Sequence, residues 1–333
     1  MLSFLKRVQR KRQIKKNKFL LVAAYMRRTG GKSGWPGYVY YRLGMYQSAA
    51  AQPYQGRSWK IWLAYTVSLA ACGQHKKARR IVLKLIKTPL FGRKQKIALA
   101  DSLAPFSPSL ALSVLEKVNN KPPALHAALL LRLDRKMEAH ALLNPVMHTD
   151  WIKHKPELSL LMANAASSSP QKQLNYANQF MEAYGLDQLS LKDASLPFGA
   201  GNLSCHIESA ATDGPLVSIL VTAFRSAERI GYALDSLLQQ TYRNIEIIVV
   251  DDAGDDDTEN IVQSMASQDG RLRYIKLPVN VGTFTAKNMG LKLAGGEFIT
   301  CHDSDDWAHP RKIEYQIQPL LANPSLIYTT SQW

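Results

Sequence analysis

Between Val217 and Asp303, four apolar runs rich in β-branched residues alternate with segments of helical period, and this alternation constrains the fold more than any other feature of the chain. Val217-Ser218-Ile219-Leu220-Val221, Ile245 to Val250, Tyr274 to Leu277 and Phe298 to Cys301 read as buried strands. Between them, Ile230, Ala233, Leu234, Leu237 and Leu238 repeat at helical spacing. Ile261, Val262 and Met265 mark a second helix, and Ala286 to Ala294 a third. Ser226 stands where it can cap the first helix, with Glu228 in the first turn, where the helix dipole favours an anion. Strands alternating with helices of this length predict βαβ units and a mostly parallel sheet.

Sheets of that kind bind ligands outside the carboxyl ends of their strands. Three polar groups fall at those ends: Thr222, Asp251-Asp252, and the run His302-Asp303-Ser304-Asp305-Asp306-Trp307. Three carboxylates in four positions repel one another unless a cation neutralises them, and hard oxygen ligands suit Mg2+ or Mn2+. Taken alone, the last run reads equally well as a solvated acidic turn capping a helix near Pro310. Convergence of three polar groups on one sheet edge favours a binding site.

Six stretches occur in order: Val217–Arg225, Ile247–Gly254, Asn280–Gly282, Ala286–Gly290, Gly296–Ile299 and Asp303–Trp307. Together they resemble the family 2 glycosyltransferases, whose nucleotide-sugar fold is called GT-A, over about the last third of the chain. The resemblance implies an α/β, Rossmann-like, mostly parallel sheet. It also implies a nucleotide-sugar donor of the UDP-sugar kind, a divalent cation (Mn2+ or Mg2+), and a glycan or lipid-linked glycan as acceptor. It sets Thr222 and Ala223 against the uracil through backbone groups, and Asp252, with Asp251 beside it, on the uracil or ribose. Lys287 falls near the nucleotide. Asp303 and Asp305 match the DxD motif, with Asp303 toward the ribose and the metal and Asp305 on the metal.

Two departures stand out. The family usually has Pro-Thr-Tyr-Asn where this chain has Thr222-Ala223-Phe224-Arg225, and Arg where Lys287 stands; Lys cannot form the bidentate fork of Arg. By resemblance, the general base and the acceptor site lie in a second half of the catalytic domain. Here 28 residues follow Asp305. They read as a helix from Lys312 to Leu321 and the start of a strand over Leu326-Ile327-Tyr328-Thr329-Thr330, with Glu314 solvated in mid-helix. The expected base then lies beyond Trp333, and the chain reads as a fragment that binds donor with little turnover. Two further readings stand beside the transferase: a non-catalytic nucleotide-sugar-binding module, and a helical adaptor with a vestigial sheet domain.

Charge is unevenly distributed. No Asp or Glu precedes Asp101, and residues 1–100 hold 23 Lys and Arg. The densest block runs from Lys6 to Lys18, and the apolar run Phe19 to Met26 follows it. Eight residues fall short of the ~20 that span a bilayer, and the flanks do not suit a secretion signal. The leader reads as a dock for an anionic membrane surface, worth ~1 kcal/mol per basic residue near lipid. That expectation makes the protein cytoplasmic and peripheral on the inner face of the cell membrane. Nucleic acid is the rival polyanion, without a recognisable reader motif, and a solvated helix without a partner is the third reading.

The middle of the chain is helical. Trp62, Tyr65, Leu69, Gly73, Ala78 and Val82 follow the spacing of a helix pair, and Ala111, Ala139 and Leu174 recur further on. The pattern weakly resembles a tetratricopeptide array, and a plain helical bundle is the alternative. Either gives a scaffold that could dock a protein partner. Leu189 to Pro215 breaks the periodicity and reads as a linker. The expected organisation is therefore a basic leader over 1–57, a helical domain over 58–188, a linker over 189–214 and a nucleotide-sugar-binding half-domain over 215–333. Cys72, Cys205 and Cys301 show no metal spacing and fit a reducing cytosol. His302 and His309 flank the acidic run; His302 could approach a diphosphate, but a surface or supporting role is the simpler reading for both.

Overall fold

A computed structural model describes residues 35–52, 58–147, 154–166, 169–207 and 212–330. The basic block Lys6 to Lys18 and the apolar run after it lie outside the described residues. The chain divides into two compact units, Met1–Ala166 and Ser167–Trp333.

The first unit is helical: α1 (Trp35–Arg42), α2 (Tyr46–Ala50), α3 (Trp59–Ala71), α4 (His75–Leu85), α5 (Arg93–Leu103), α6 (Pro108–Leu115), α7 (Pro123–Arg132), α8 (Lys136–Met147) and α9 (Glu157–Ala165). Helix formation thus begins within the stretch expected to be leader. Val39 and Tyr40 of α1 and Ala49 of α2 bury one another in a small cluster of their own. The expected recurrences at Ala78, Ala111 and Ala139 fall on the hairpins α3/α4, α5/α6 and α7/α8, whereas Leu174 falls outside them, in the second unit. Gly73 ends α3 at φ +74°, a conformation that costs other residues steric strain. Ala78, Ala111 and Ala139 sit on the second helix of each pair with no exposure, and their small size lets the paired helices approach. Leu69, Val82, Leu99, Leu103, Leu115 and Leu129 fill the shared core. No helix among the described residues is long and apolar enough to cross a membrane.

The second unit starts earlier than expected. Helix α10 (Pro170–Ala183) buries Leu174, Ala177 and Met181 with Leu189 and Leu203, and Trp307 packs against the same cluster. The stretch read as a linker is folded. Strands β1 (Ser190–Leu191) and β2 (Leu203–Ser204) pair antiparallel. The Asn202 amide donates to the carbonyls of Asp193, Leu196 and Pro197, and Asn178 both donates to and accepts from the Leu189 backbone. Two asparagine side chains thus satisfy backbone groups that a longer ladder would otherwise pair.

The main sheet contains β3 (Val217–Ala223), β4 (Ile245–Asp251), β5 (Leu272–Lys276) and β6 (Phe298–Asp303), all parallel, in the order β5-β4-β3-β6. Connecting helices are α11 (Ile230–Leu238), α12 (Thr258–Ala266) and α13 (Thr283–Leu291), and α14 (Lys312–Ala322) follows β6. Alternation within each strand sorts the faces. Ile219, Val221, Ile247 and Val249 pack on α11, α12 and α14, while Leu220, Ile248 and Val250 pack against Ala286 of α13. This is the expected α/β arrangement, and coverage on both faces explains the continuous apolar runs of β3 and β4. Strand β6, read from the sequence as buried, instead leaves Ile299 and Cys301 exposed, because it ends the strand order and one of its faces is uncovered.

Three local expectations change. Ser226 does not cap α11: the turn Ala227–Arg229 intervenes, and the Ser226 hydroxyl faces Ser304 instead, at 2.9 Å. Leu326 to Thr330 forms no strand. Thr329 Oγ1 instead donates to the Gln316 carbonyl on α14, while Ile327 and Tyr328 stay exposed, so the run is held from the helix rather than laddered to β6. Glu314 is not solvated: it accepts from Thr241 Oγ1 at 2.8 Å and pairs with Arg311 at 3.3 Å.

Candidate functional site

The strand order reverses between β3 and β6, because β4 and β5 extend the sheet on one side of β3 and β6 returns to the other. A crevice at such a switch point is where open α/β sheets bind ligands. Thr222 and Asp303 are direct register partners at that point. Around them lies a cleft of about 320 Å³ lined by Thr222, Phe224, Arg225, Ser226, Arg229, Thr283, Asp303, Ser304 and Asp305.

Charges in the cleft are matched in pairs. Lys287 Nζ lies 3.0 Å from Asp303 Oδ1, and Arg229 Nη1 lies 3.2 Å from Asp305 Oδ2. At the rim, Arg225 makes a bidentate contact with Asp255 at 2.7 and 3.0 Å. Asp303 and Asp305 keep side-chain exposures of 60% and 49%, so both carboxylates remain open to a ligand. Asp306 differs. Burial, then the charges of Asp305 and Asp303, push its carboxyl above the usual range.

The loops that carry these groups are tied down from behind. Arg225 and Ala253 adopt φ +51° and +62°, uncommon for residues with a Cβ. Asp251 is buried and accepts from the Gly254 N–H at 2.8 Å and the Tyr274 hydroxyl at 2.7 Å. Burial first, and the bond to Asp251 second, push the Tyr274 hydroxyl well above its ordinary pKa. Asp252 is also buried; its two oxygens accept from the N–H groups of Val281 (2.7 Å) and Gly282 (2.8 Å), which fixes the entry to α13. Asp256 accepts from the Ala227 N–H and the Thr258 hydroxyl, and Thr258 in turn accepts from the Ser226 N–H.

Of the residues singled out in the sequence, Thr222, Asp303 and Asp305 line the cleft, and Lys287 reaches it through Asp303. Ala223, Asp251 and Asp252 are buried behind it. The Ala223 carbonyl accepts the Asp252 N–H at 2.8 Å, so this backbone group is already engaged. Sequence reasoning missed Arg229, Ser226 as a lining residue, and the rim pair Arg225–Asp255. Arg229 lies one residue before a helical stripe and carried no signal beyond its charge.

His302 is buried beneath the acidic turn rather than exposed. Lys312 Nζ donates to its Nδ1 at 3.0 Å, so Nε2 carries the hydrogen and donates to the Asp306 carbonyl at 3.2 Å. Burial, then the Lys312 charge, lower its pKa to about 4. His309 is buried too and does not reach the cleft. Its Nδ1 accepts the Arg311 N–H, and Nε2 donates to the Asp187 carbonyl.

Asp303 and Asp305 offer the hard oxygen donors that a divalent cation takes. Among the described residues no group of three His, Cys, Asp or Glu side chains closes into a cage. Two open carboxylates fit the kind of Mg2+ site that borrows the rest of its shell from phosphates and water.

With its parallel sheet and an acidic turn at the switch point, the second unit resembles the family 2 glycosyltransferases. The model of the family described as "Glycosyl transferase family 2" matches residues 218–332. The chain is 35% identical over 109 residues to an uncharacterized glycosyltransferase of Haemophilus influenzae, covering 33% of this chain and 44% of that protein. It is 41% identical over 102 residues to the Escherichia coli UDP-Glc:alpha-D-GlcNAc-diphosphoundecaprenol beta-1,3-glucosyltransferase WfaP, covering 31% of this chain and 40% of WfaP. Among solved structures, S. aureus TarS 1-349 in complex with UDP-GlcNAc is 31% identical, with 30% of this chain and 29% of that one covered at a TM-score of 0.29. The chain spans less than half the length of each of these relatives.

Proposed function

We propose that the second unit binds a nucleotide-sugar donor at the ends of β3 and β6, and that the protein transfers the sugar to a hydroxyl of a glycan or lipid-linked glycan. The observation that carries this reading is the register pair Thr222 and Asp303 at the switch point, with Asp305, Lys287 and Arg229 gathered around it. WfaP is named for a UDP-glucose donor and a diphosphoundecaprenol-linked acceptor, which supports a UDP-sugar and a lipid-linked acceptor here.

Transfer breaks the anomeric C–O bond, and negative charge grows on the departing diphosphate. Lys287 and Arg229 are the cations placed to exchange their carboxylate partners for that charge. Asp303 and Asp305 would hold a divalent cation, which supplies Lewis-acid stabilisation of the leaving group. The acceptor hydroxyl needs a general base within hydrogen-bond reach. Glu314, the one carboxylate of the chain after Asp306, is committed to Thr241 and Arg311 and does not fill that role.

Calorimetric titration with UDP tests the donor site. We expect affinity at least about tenfold higher with Mn2+ than with EDTA, a difference of ~1.4 kcal/mol. Asp305→Ala should abolish that difference without changing helix content. Equal affinity with Mn2+ and with EDTA removes the metal from the reading, and no UDP binding under either condition sinks the donor site itself.

A further inference from the structure

The acidic turn at the end of β6 is gripped from two sides by contacts of different kinds. From the cleft, Lys287 and Arg229 reach carboxylate oxygens of Asp303 and Asp305. From behind, the contacts go to the backbone. The Asp306 N–H donates to the Asp303 carbonyl at 3.3 Å and closes the turn. The Tyr232 hydroxyl of α11 donates to the Asp305 carbonyl at 3.3 Å, and His302 Nε2 donates to the Asp306 carbonyl at 3.2 Å. A ligand can exchange the side-chain pairs, but the backbone bonds decide where the two carboxylates start from.

His302 is supported in turn. It shares a sheet face with Phe298, and its register partner Val221 is fully buried. Helix α14 packs on that face through Ile313 and Ile317 and opens with Lys312. Lys312 Nζ donates to His302 Nδ1 at 3.0 Å, which leaves the ring hydrogen on Nε2. In the other tautomer the lone pairs of Nε2 and of the Asp306 carbonyl would face each other. An apolar side chain would fill this place without desolvating an imidazole and an ammonium. What the polar pair adds is direction, since each of its bonds has one geometry and one sense.

We propose that Lys312 and His302 are positioning residues for the donor site: in series they hold the Asp306 carbonyl inward and so keep Asp303 and Asp305 open toward a divalent cation. The inference rests on the donor-site reading above, and neither residue touches a ligand in it. Partners behind a metal site are worth ~10–100-fold in metal affinity. His302 acts through the backbone rather than on a carboxylate, so the lower end is expected. An amide offers an acceptor and a donor at about the spacing of the two ring nitrogens. His302→Gln can therefore accept from Lys312 and donate to the Asp306 carbonyl, whereas His302→Leu can do neither.

The test measures, by calorimetry on the full chain, the Mn2+ concentration that half-saturates UDP binding. It should rise about tenfold in His302→Leu and stay within about twofold in His302→Gln. UDP affinity in EDTA should be the same in both. His302→Leu takes an acceptor from the half-buried Lys312 ammonium, so His302→Leu/Lys312→Met is the second variant. With both polar partners replaced by apolar groups it should keep the parent's thermal midpoint and show the same tenfold rise. Half-saturation within twofold of the parent in the double variant overturns the proposal, as does a loss in His302→Gln equal to that in His302→Leu. A readout without ligand separates this result from the donor-site reading. The ring nitrogen resonances of His302 should show hydrogen on Nε2; hydrogen on Nδ1 overturns the series. The Ser304 and Asp305 amide resonances should be split or broadened in His302→Leu and single in His302→Gln, although both variants lack the ring. If the parent binds no UDP, or Mn2+ has no effect, the donor-site reading fails and these amides decide the hold on the turn. Single signals in His302→Leu then overturn it, and split ones uphold it.

Discussion

The two clefts are walled in different ways. In the second unit every cation at the cleft already has a carboxylate: Arg225 with Asp255, Arg229 with Asp305, Lys287 with Asp303. Behind them, buried Asp251 and Asp252 pin the loops to the strand ends. In the first unit a cleft of about 460 Å³ between the starts of α4 and α6 is lined by His75, Lys76, Arg79 and three serines with no acid, and its walls are held by helix hairpins packed through small residues. Exposed ion pairs are worth only about 0–1 kcal/mol each. The second cleft is therefore assembled in advance and can exchange its internal partners for a ligand at small cost.

The largest test of this contrast is backbone crowding. A Cβ on Gly296 would meet Ser218 Oγ at 2.5 Å, the Ser218 N at 2.7 Å and the Leu216 carbonyl at 2.8 Å. Backbone cannot yield as a flexible side chain does, so Gly296→Ala should cost the second unit about 2–3 kcal/mol by denaturant titration. A loss below ~0.5 kcal/mol would show that the sheet edge is looser than its geometry.

Next in size is a pH effect. The Arg311 N–H points at Nδ1 of His309, so the buried ring is held neutral. Burial lowers its pKa, more than the carbonyl and charge of Asp187 raise it. The unfolded chain then takes up this proton at a higher pH than the native one. The contribution is fully present above about pH 6.5 and is lost as pH falls below that value. His309→Gln should flatten the acid side of the stability curve by up to about 1.4 kcal/mol per pH unit within that window. His126 in the first unit is lowered as well, by burial and then by Lys121, but it is only partly buried, and His126→Gln should change the curve less.

The smallest expected effect lies at Gly73. Its φ is +74°, yet a Cβ there would meet nothing within 4 Å. Gly73→Ala should cost only the left-handed strain, about 1 kcal/mol. If it cost as much as Gly296→Ala, the contrast between open hairpin turns and crowded sheet edges would fail.

The sheet was legible because two simple periods carried it: β3, β4 and β6 are continuous apolar runs, and the α11 stripe repeats at 3.6. Residues at strand ends were legible for the same reason, since a strand's last residue fixes where its neighbour points. What could not be read is which oxygens were already spoken for. Asp252 and Asp303 look alike in sequence, yet one is clamped on the Val281 and Gly282 amides and the other is open to the cleft. Glu314 looked solvated because helical period alone does not reveal Thr241 and Arg311 approaching from another turn of the chain. The folded stretch 189–207 was missed because Asn178 and Asn202 do the work of a ladder, and side-chain-to-backbone bonds leave no periodic trace.

The Asp252 clamp has a kinetic consequence. Val281 and Gly282 lie in a loop, where amide protons ordinarily exchange with solvent quickly. Their donors are instead held by a buried carboxylate on a residue about thirty positions away, at the end of a central strand. Those two protons can leave only when the loop lifts off the strand end, so their protection factors measure how often the entry to α13 opens.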